Sequence, residues 1–407
     1  MRVLCVFGEH AYGDPARGQS YELANMLPAF ERLGHEVRLF ESHDRRAYSD
    51  FAELNTEFLR TLDAFRPHLV FFVFMSYEIW TETLDLVRSA CPAMLVDWGT
   101  DDSWKYDQCS RFLVPHLDLH VTTDHRAFET GRREGRENLL LSQWAASSAT
   151  LAEPLPSAAC RYDVTFVGAA YGNRPKWIER LRKRGIEVKC FGHGWEGGVL
   201  SASEVRRVYR ESRVSLNFAD SGLLLRGAKL GRSRQIKART FEVPGAGGFL
   251  LTQSAEQLER YFKLGDEIAV FSGPRELEQR VRYYLEHPHE RDRVALAGHA
   301  RVCAEHTYEA RLLEICAAAE RAASAGGRRG DWRIELDRLG PYLQRHRIGP
   351  GLRAVRGALT GLGRLLFGAE RGPRAARRLV FELSRRLSGA RTYSATGWPG
   401  RMFYRES

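Results

Sequence analysis

The sequence predicts an α/β protein of two parallel-sheet domains followed by a basic helical appendage, and three observations lead there. Short apolar runs alternate with helical patterns over residues 1–145 and again from 161, as βαβ units require. Between them Leu151 to Ala159, LAEPLPSAA, has two prolines, small residues and no periodicity, so it reads as a linker. Residues 321–407 hold 19 Arg, no Lys and six acidic residues, which sets them apart from the rest. The division that follows is 1–150, a linker at 151–160, a second α/β domain at 161–325, and a basic amphipathic helical tail at 326–407.

Composition narrows the function classes. A chain of 407 residues that is 43% hydrophobic can fill two cores. The net charge of +10 is the tail's +13 set against a body at −3, so the body is no nucleic-acid binder. Arg outnumbers Lys 54 to 7, a bias that codon usage alone can produce. The apolar start MRVLCVF is too short for a signal peptide, and no run reaches the length of a membrane span. Seven cysteines without a CxxC pair argue for a reducing compartment and against zinc, and the reading is cytoplasmic.

In the first domain VLCVF, EVRLF, LVFFVF, AMLVD and LHVTT are the expected strands, each presenting the loop at its carboxyl end to a ligand. The first loop, Gly8 to Ser20, carries His10. It has the spacing GxxxxG, but Gln19 stands where a phosphate-binding Lys belongs, and GxGxxG is absent. ATPase and hydride-transfer readings fall with those motifs. After AMLVD comes WGTDDSWKYD, where Asp97, Asp101 and Asp102 sit beside Trp98 and Trp104. Aromatic rings can stack on a pyranose and a carboxylate can take a proton from an attacking hydroxyl, while Asp102 or Ser103 can equally well cap a helix.

The second domain has RYDVTFVG as a strand, then GAAYGNRPKWIERLRKRG, with Pro175 at a plausible first helical position. Arg174 and Lys176 lie where helix N–H groups favour an anion such as a diphosphate; a solvated basic helix is the other reading. His193 and Trp195 close EVKCFGHGW. VSLNF, ending in Asn217, opens into a long loop with Arg226, Lys229, Arg232 and Arg234, expected as a basic rim. The loop delivers the chain to KARTFEVPGAGGFLLT, Lys237 to Thr252, read as a short helix, a Gly-rich stop and a buried strand. Glu242 is its one carboxylate, with Arg239 one turn before it; taken bare, the two form a solvated salt bridge.

In successive blocks, DVTFVGAAYGNR, VKCFGHGW, VSLNF, ARTFEVPGAGGFLLT and AEHTYEAR, residues 163–311 resemble the two-domain (GT-B) glycosyltransferases, and more narrowly the spore-maturation (CgeB-like) family. VDWGTDD and LHVTTD carry a looser likeness in the first domain. The resemblance implies two Rossmann-like domains facing a cleft and transfer of a sugar from a nucleotide-diphosphate donor, with no metal or other cofactor. It places Glu242 on the donor ribose and Arg174 and Arg239 near the phosphates, with Gly168, Asn217, Arg234, Lys237 and His193 as further donor-side candidates. Asp101 or Asp102 becomes the acceptor base, with His10 as rival. Related retaining enzymes carry a second Glu at the position of Arg234, so the stereochemical course stays open. The acceptor is expected to be a glycan, a lipid-linked carbohydrate or a protein. The rivals are a nucleotide-sugar epimerase and a non-catalytic sugar- or nucleotide-binding protein.

In the tail Leu352, Val355, Leu359, Leu362 and Leu366 share one helical face and Ala376, Leu379, Val380, Leu383 and Leu387 another, both flanked by Arg. Such helices lie on anionic lipid, giving peripheral contact with a membrane, or pack against the body.

Overall fold

The computed structural model describes residues 1–226, 229–325 and 332–407, with the side chains of 222–233 and 325 outside the description. The expected rim of Arg226, Lys229 and Arg232 therefore lies outside the described side chains. The chain forms two compact units: residues 1–122, 126–141 and 314–407 in one, and 123–125 with 142–313 in the other.

The first unit is built on β1 (Arg2–Phe7), β2 (Glu36–Glu41), β3 (Leu69–Phe72), β4 (Met94–Gly99), β5 (Leu119–Thr122) and β6 (Leu139–Leu141). They pair in parallel in the order β2-β1-β3-β4-β5-β6. All of β3 and β4 is buried, which is why LVFF and MLVDWG read as continuous rather than alternating apolar runs. Five of the six strands fall on the expected runs, whereas β6 is too short to stand out in sequence.

Sequence alone sets residues 326–407 apart as a tail, but in the structure 314–407 belongs to the first unit. Leu339, Phe381, Tyr393, Ala395 and Tyr404 share one core with Val6, Phe72 and Leu95, and the Tyr404 ring meets Phe51 edge-on at 4.8 Å. Periodicity reports an apolar helix face without saying what covers it: Leu352, Leu359, Ala376 and Val380 pack within the appendage, whereas Val355, Leu362, Leu366, Leu379, Leu383 and Leu387 stay exposed. The long helical segment Pro350–Ser388 is interrupted at Gly368, whose φ of 81° ends the first arm. Gly363 and Gly372 then bring the two arms into backbone contact, since a Cβ on Gly363 would stand 2.4 Å from the Gly372 carbonyl oxygen.

The second unit contains β7 (Tyr162–Val167), β8 (Val188–Phe191), β9 (Ser212–Asn217), β10 (Asp220–Arg226), β11 (Lys229–Arg234), β12 (Leu250–Gln253) and β13 (Ala269–Phe271). Five of them form a parallel sheet in the order β13-β12-β9-β7-β8. The other two make an antiparallel hairpin, so the expected long loop after VSLNF is a β-ribbon. Arg291, fully buried, ties the linker to this sheet by donating to the carbonyls of Leu155, Ser212 and Arg213.

The stretch after the ribbon folds as read, with helix Arg239–Gly245 leading to β12. Of its glycines only Gly247 has a left-handed φ, 79°. Gly245 and Gly248 are needed for closeness instead: added Cβ atoms would lie 2.7 Å from the Ala146 Cβ and 2.6 Å from the Tyr209 carbonyl oxygen.

Candidate functional site

The candidate donor site is assembled at the carboxyl ends of β7, β8 and β9 in the second unit. β7 empties into Gly168, whose φ of 152° is open to glycine and strained for other residues. A Cβ there would also stand 2.7 Å from an Arg239 guanidinium nitrogen. Gly192, after β8, presses against the same loop, where an added Cβ would stand 2.6 Å from the Gly168 carbonyl oxygen. Backbone bonds from Gly168 N to Phe191 O and from Ala170 N to His193 O, both 2.8 Å, lock the two loops together. His193 thus contributes its carbonyl to the scaffold, while its side chain is exposed.

Two guanidinium groups converge on that scaffold. Arg174, at the first turn of helix Arg174–Lys183, is 3% exposed and donates to Ala169 O at 3.0 Å and Tyr171 Oη at 2.9 Å. Its Nε is buried without a partner, and its carbon Cζ lies 3.9 Å from the Tyr171 ring centre and 5.5 Å from that of Phe166. Arg239 sits over the same Phe166 ring at 5.7 Å and donates to Asn217 Oδ1 at 3.1 Å. All of these acceptors are neutral. Burial, and next to it the charge of Arg239, push Arg174 down to about 10, which still leaves it cationic at neutral pH.

Asn217 is the hub. Its Nδ2 donates to Thr252 Oγ1 at 3.0 Å and Thr240 Oγ1 at 3.4 Å, so its Oδ1 is turned to Arg239. Glu242, half-buried one turn after Arg239, lies near the buried Tyr209, whose hydroxyl is raised by burial and by that carboxylate. Arg234 is exposed and held by Ser254 Oγ and Ser272 O, both at 3.0 Å. Half-buried Lys237 starts the turn that becomes the helix, its carbonyl accepting from Thr240 N at 2.8 Å. Tyr171 and Asn173, the latter 3.2 Å from Asp220 Oδ2, complete the neighbourhood. Sequence reasoning did not single out Tyr171, although an aromatic three residues before the helix-opening Arg was the available signal.

In the first unit the carboxylates of the WGTDD segment part company. Asp102 is sealed: its side chain is 0% exposed, Oδ2 is 2.8 Å from His120 Nε2, and Oδ1 accepts from Ser110 Oγ at 2.6 Å. The other ring nitrogen, His120 Nδ1, is 2.8 Å from Asp97 Oδ2. These three residues form a buried ion triad, and Asp102 has no face left for an acceptor hydroxyl. The expected base role for Asp102 is corrected on that ground. Both carboxylates hold His120 up at about 10 against burial. Asp102, with extra hydrogen bonds from Ser110 and Thr122, is lowered despite burial; Asp97, whose Oδ1 has no partner, is raised by burial. Trp98 is likewise core, 1% exposed and edge-on to Phe71 at 6.2 Å, which removes it as a sugar-stacking ring. Trp104 is 39% exposed.

Asp101 is half-buried just after β4. His10 is also half-buried, in a loop closed by its own bridge to Gln19. Beyond β3 and β4 a cavity of about 170 Å³ opens between Tyr77, Glu78, Trp104 and Lys105 on one side and Arg377 and Phe381 on the other. Lys105 is buried and donates to Phe74 O, and the surrounding anionic groups keep it charged. His120 and Lys105 escaped the sequence reading. The signal for His120 was a polar residue in a buried strand, and its register partner in β4 is Asp97.

Comparison with known proteins bears on the fold that carries this site. Residues 174–317 match the family model described as glycosyl transferase-like. No curated protein matches the chain. Among solved structures, sucrose-phosphate synthase from Thermosynechococcus elongatus superposes with a TM-score of 0.56 at 10% identity, over 80% of this chain and 100% of that one. Anabaena HepE in complex with UDP and glucose gives 0.52 at 9% identity over 78% and 100%. A glycosyltransferase from Rickettsia africae gives 0.52 at 8% identity over 79% and 98%. At these identities the likeness establishes the fold, two Rossmann-like α/β units of GT-B type.

Proposed function

We propose that this protein is a glycosyltransferase that takes a sugar from a nucleotide-diphosphate donor held by the second unit. The observation that carries the reading is the Arg174–Arg239 pair: two like charges held over one aromatic ring, with only neutral hydrogen-bond acceptors, one Nε buried and unpaired, and the Asp220 carboxylate nearby as a partial counter-charge to Arg174. Such an arrangement is costly when empty and is relieved by a dianionic ligand. Glu242, one turn along from Arg239, is the group for the ribose hydroxyls. In the transition state negative charge builds on the departing diphosphate, and cations already in place stabilise it without reorganisation. The reaction so drawn needs no metal ion. The narrower CgeB-like kinship remains part of the proposal, as does a glycan, lipid-linked or protein acceptor bound by the first unit. There Asp101 is the candidate base, with His10 the alternative, and the cavity bounded by Lys105 and Arg377 is the candidate acceptor pocket.

Calorimetry of UDP, GDP, TDP and CDP against wild type, Glu242→Ala and Arg239→Ala tests the donor assignment. HepE was solved with UDP, which makes UDP the first nucleotide to try. One nucleotide should bind to wild type, with affinity lost in both variants. Failure of all four to bind wild type would refute the donor reading.

A further inference from the structure

The arms of the C-terminal hairpin already satisfy one another. Leu352 and Leu359 of the first arm pack with Ala376, Val380, Met402 and Phe403. Val355, Leu379, Leu383 and Leu387 stay exposed along the arms, but the densest apolar cluster left outside this seam is its tip. Leu362 is 52% exposed, Leu365 85%, Leu366 66% and Phe367 58%, and Gly368 turns the chain directly after them. Four large apolar side chains within six residues are an unusual load to leave in water on a helix that has already buried its core-facing side.

The charges around the tip select its partner. Residues 350–388 hold nine Arg and two Glu, and Arg364, Arg371 and Arg374 stand exposed on either side of the Leu-Leu-Phe-Gly turn. A protein groove that accepted the apolar tip would have to supply a ring of acids around it. A bilayer with anionic headgroups supplies both components at once: hydrocarbon for Leu365, Leu366 and Phe367, and phosphates for the guanidiniums. Among the described residues no helix is long and apolar enough to cross a membrane, so the contact is one of surface insertion.

We propose that the 364–371 hairpin tip is a membrane-docking element that inserts into the headgroup layer of anionic bilayers. It does not depend on the donor assignment, because docking needs neither nucleotide nor turnover.

The test is flotation of the full chain with equimolar phosphatidylcholine and phosphatidylglycerol vesicles, and with phosphatidylcholine alone. One variant carries Leu365→Ser, Leu366→Ser and Phe367→Ser, the other Arg364→Glu, Arg371→Glu and Arg374→Glu. All six positions are exposed, and circular dichroism with thermal unfolding checks that both variants fold. Wild type should float with the mixed vesicles, and each variant and the purely zwitterionic vesicles should show at least a ~10-fold lower partition coefficient. Wild type that stays unbound, or both variants binding as wild type does, would overturn the proposal. A concentration-dependent dimer lost in the serine variant, without vesicle binding, would overturn it in favour of self-association.

Discussion

Replacing His120 by Ala tests whether the Asp97–His120–Asp102 cluster is a structural ion triad. The imidazolium is 0% exposed and lies 2.8 Å from a carboxylate oxygen on each side. At an effective dielectric of about 20, each contact is worth roughly 6 kcal/mol of attraction, most of which offsets desolvation. Removing the central cation leaves two buried carboxylates facing an empty site, so the net loss should be about 3–5 kcal/mol. Thiol labelling against urea resolves the affected unit, because Cys5, Cys91 and Cys109 are buried in the first unit and Cys190 in the second. The midpoint for the first three should fall and that for Cys190 should not. The sign with pH follows from His120 being raised from 6.5 to about 10. Its stabilisation is complete below 6.5 and is lost as pH rises through 10, so the gap between wild type and variant should narrow toward alkaline pH. On the acid side Asp102, being lowered, holds its contribution until well below the ordinary carboxylate range. A loss under about 1 kcal/mol, or an equal shift at Cys190, would refute the triad as a structural element.

Arg239→Ala should leave the unliganded protein as stable as wild type or slightly more so, since Arg174 loses a like-charged neighbour; the gain of about 2.7 kcal/mol expected at a hundredfold excess of nucleotide over Kd should vanish in thermal-shift assays. Gly168→Ala forces a residue with a Cβ to φ 152° and displaces the Arg239 guanidinium, so calorimetry should show at least ~10-fold weaker nucleotide binding and denaturation a cost of about 1–3 kcal/mol. Arg291→Ala strips three backbone carbonyls of their donor, the Ser212 carbonyl in a buried bond and the other two in part-buried ones, and Cys190 labelling should report roughly 3 kcal/mol or more of destabilisation. Asp102→Asn should destabilise the first unit, whereas Asp101→Asn should leave labelling unchanged and lower turnover by ~100-fold or more if Asp101 is the acceptor base.

What was legible in the sequence was whatever one segment decides by itself. The buried strands β3 and β4, the Gly-rich stop after Arg239–Gly245, and the blocks that carry the glycosyltransferase resemblance are local patterns, and each lies where it was read. The site depends on pairings between segments, and those have no local signature. Asp101 and Asp102 are chemically equal neighbours in sequence. They differ only because His120, 18 residues on, stands in register with Asp97 and turns its Nε2 to Asp102. Trp98 and Trp104 part in the same way, one under the sheet and one beside the cavity. The tail shows the converse: its apolar spacing was visible, but which of its leucines would be covered was settled by the Gly363–Gly372 contact and the turn at Gly368. An Arg-rich sequence makes such pairings harder still to read, because 54 guanidiniums look alike until burial distinguishes them. Arg291 ends on three backbone carbonyls and is spent on the fold, while Arg174 ends on neutral groups with one nitrogen left over. That residual nitrogen, beside a second guanidinium, is the ground on which Arg174 rather than Arg291 is proposed as an anion ligand.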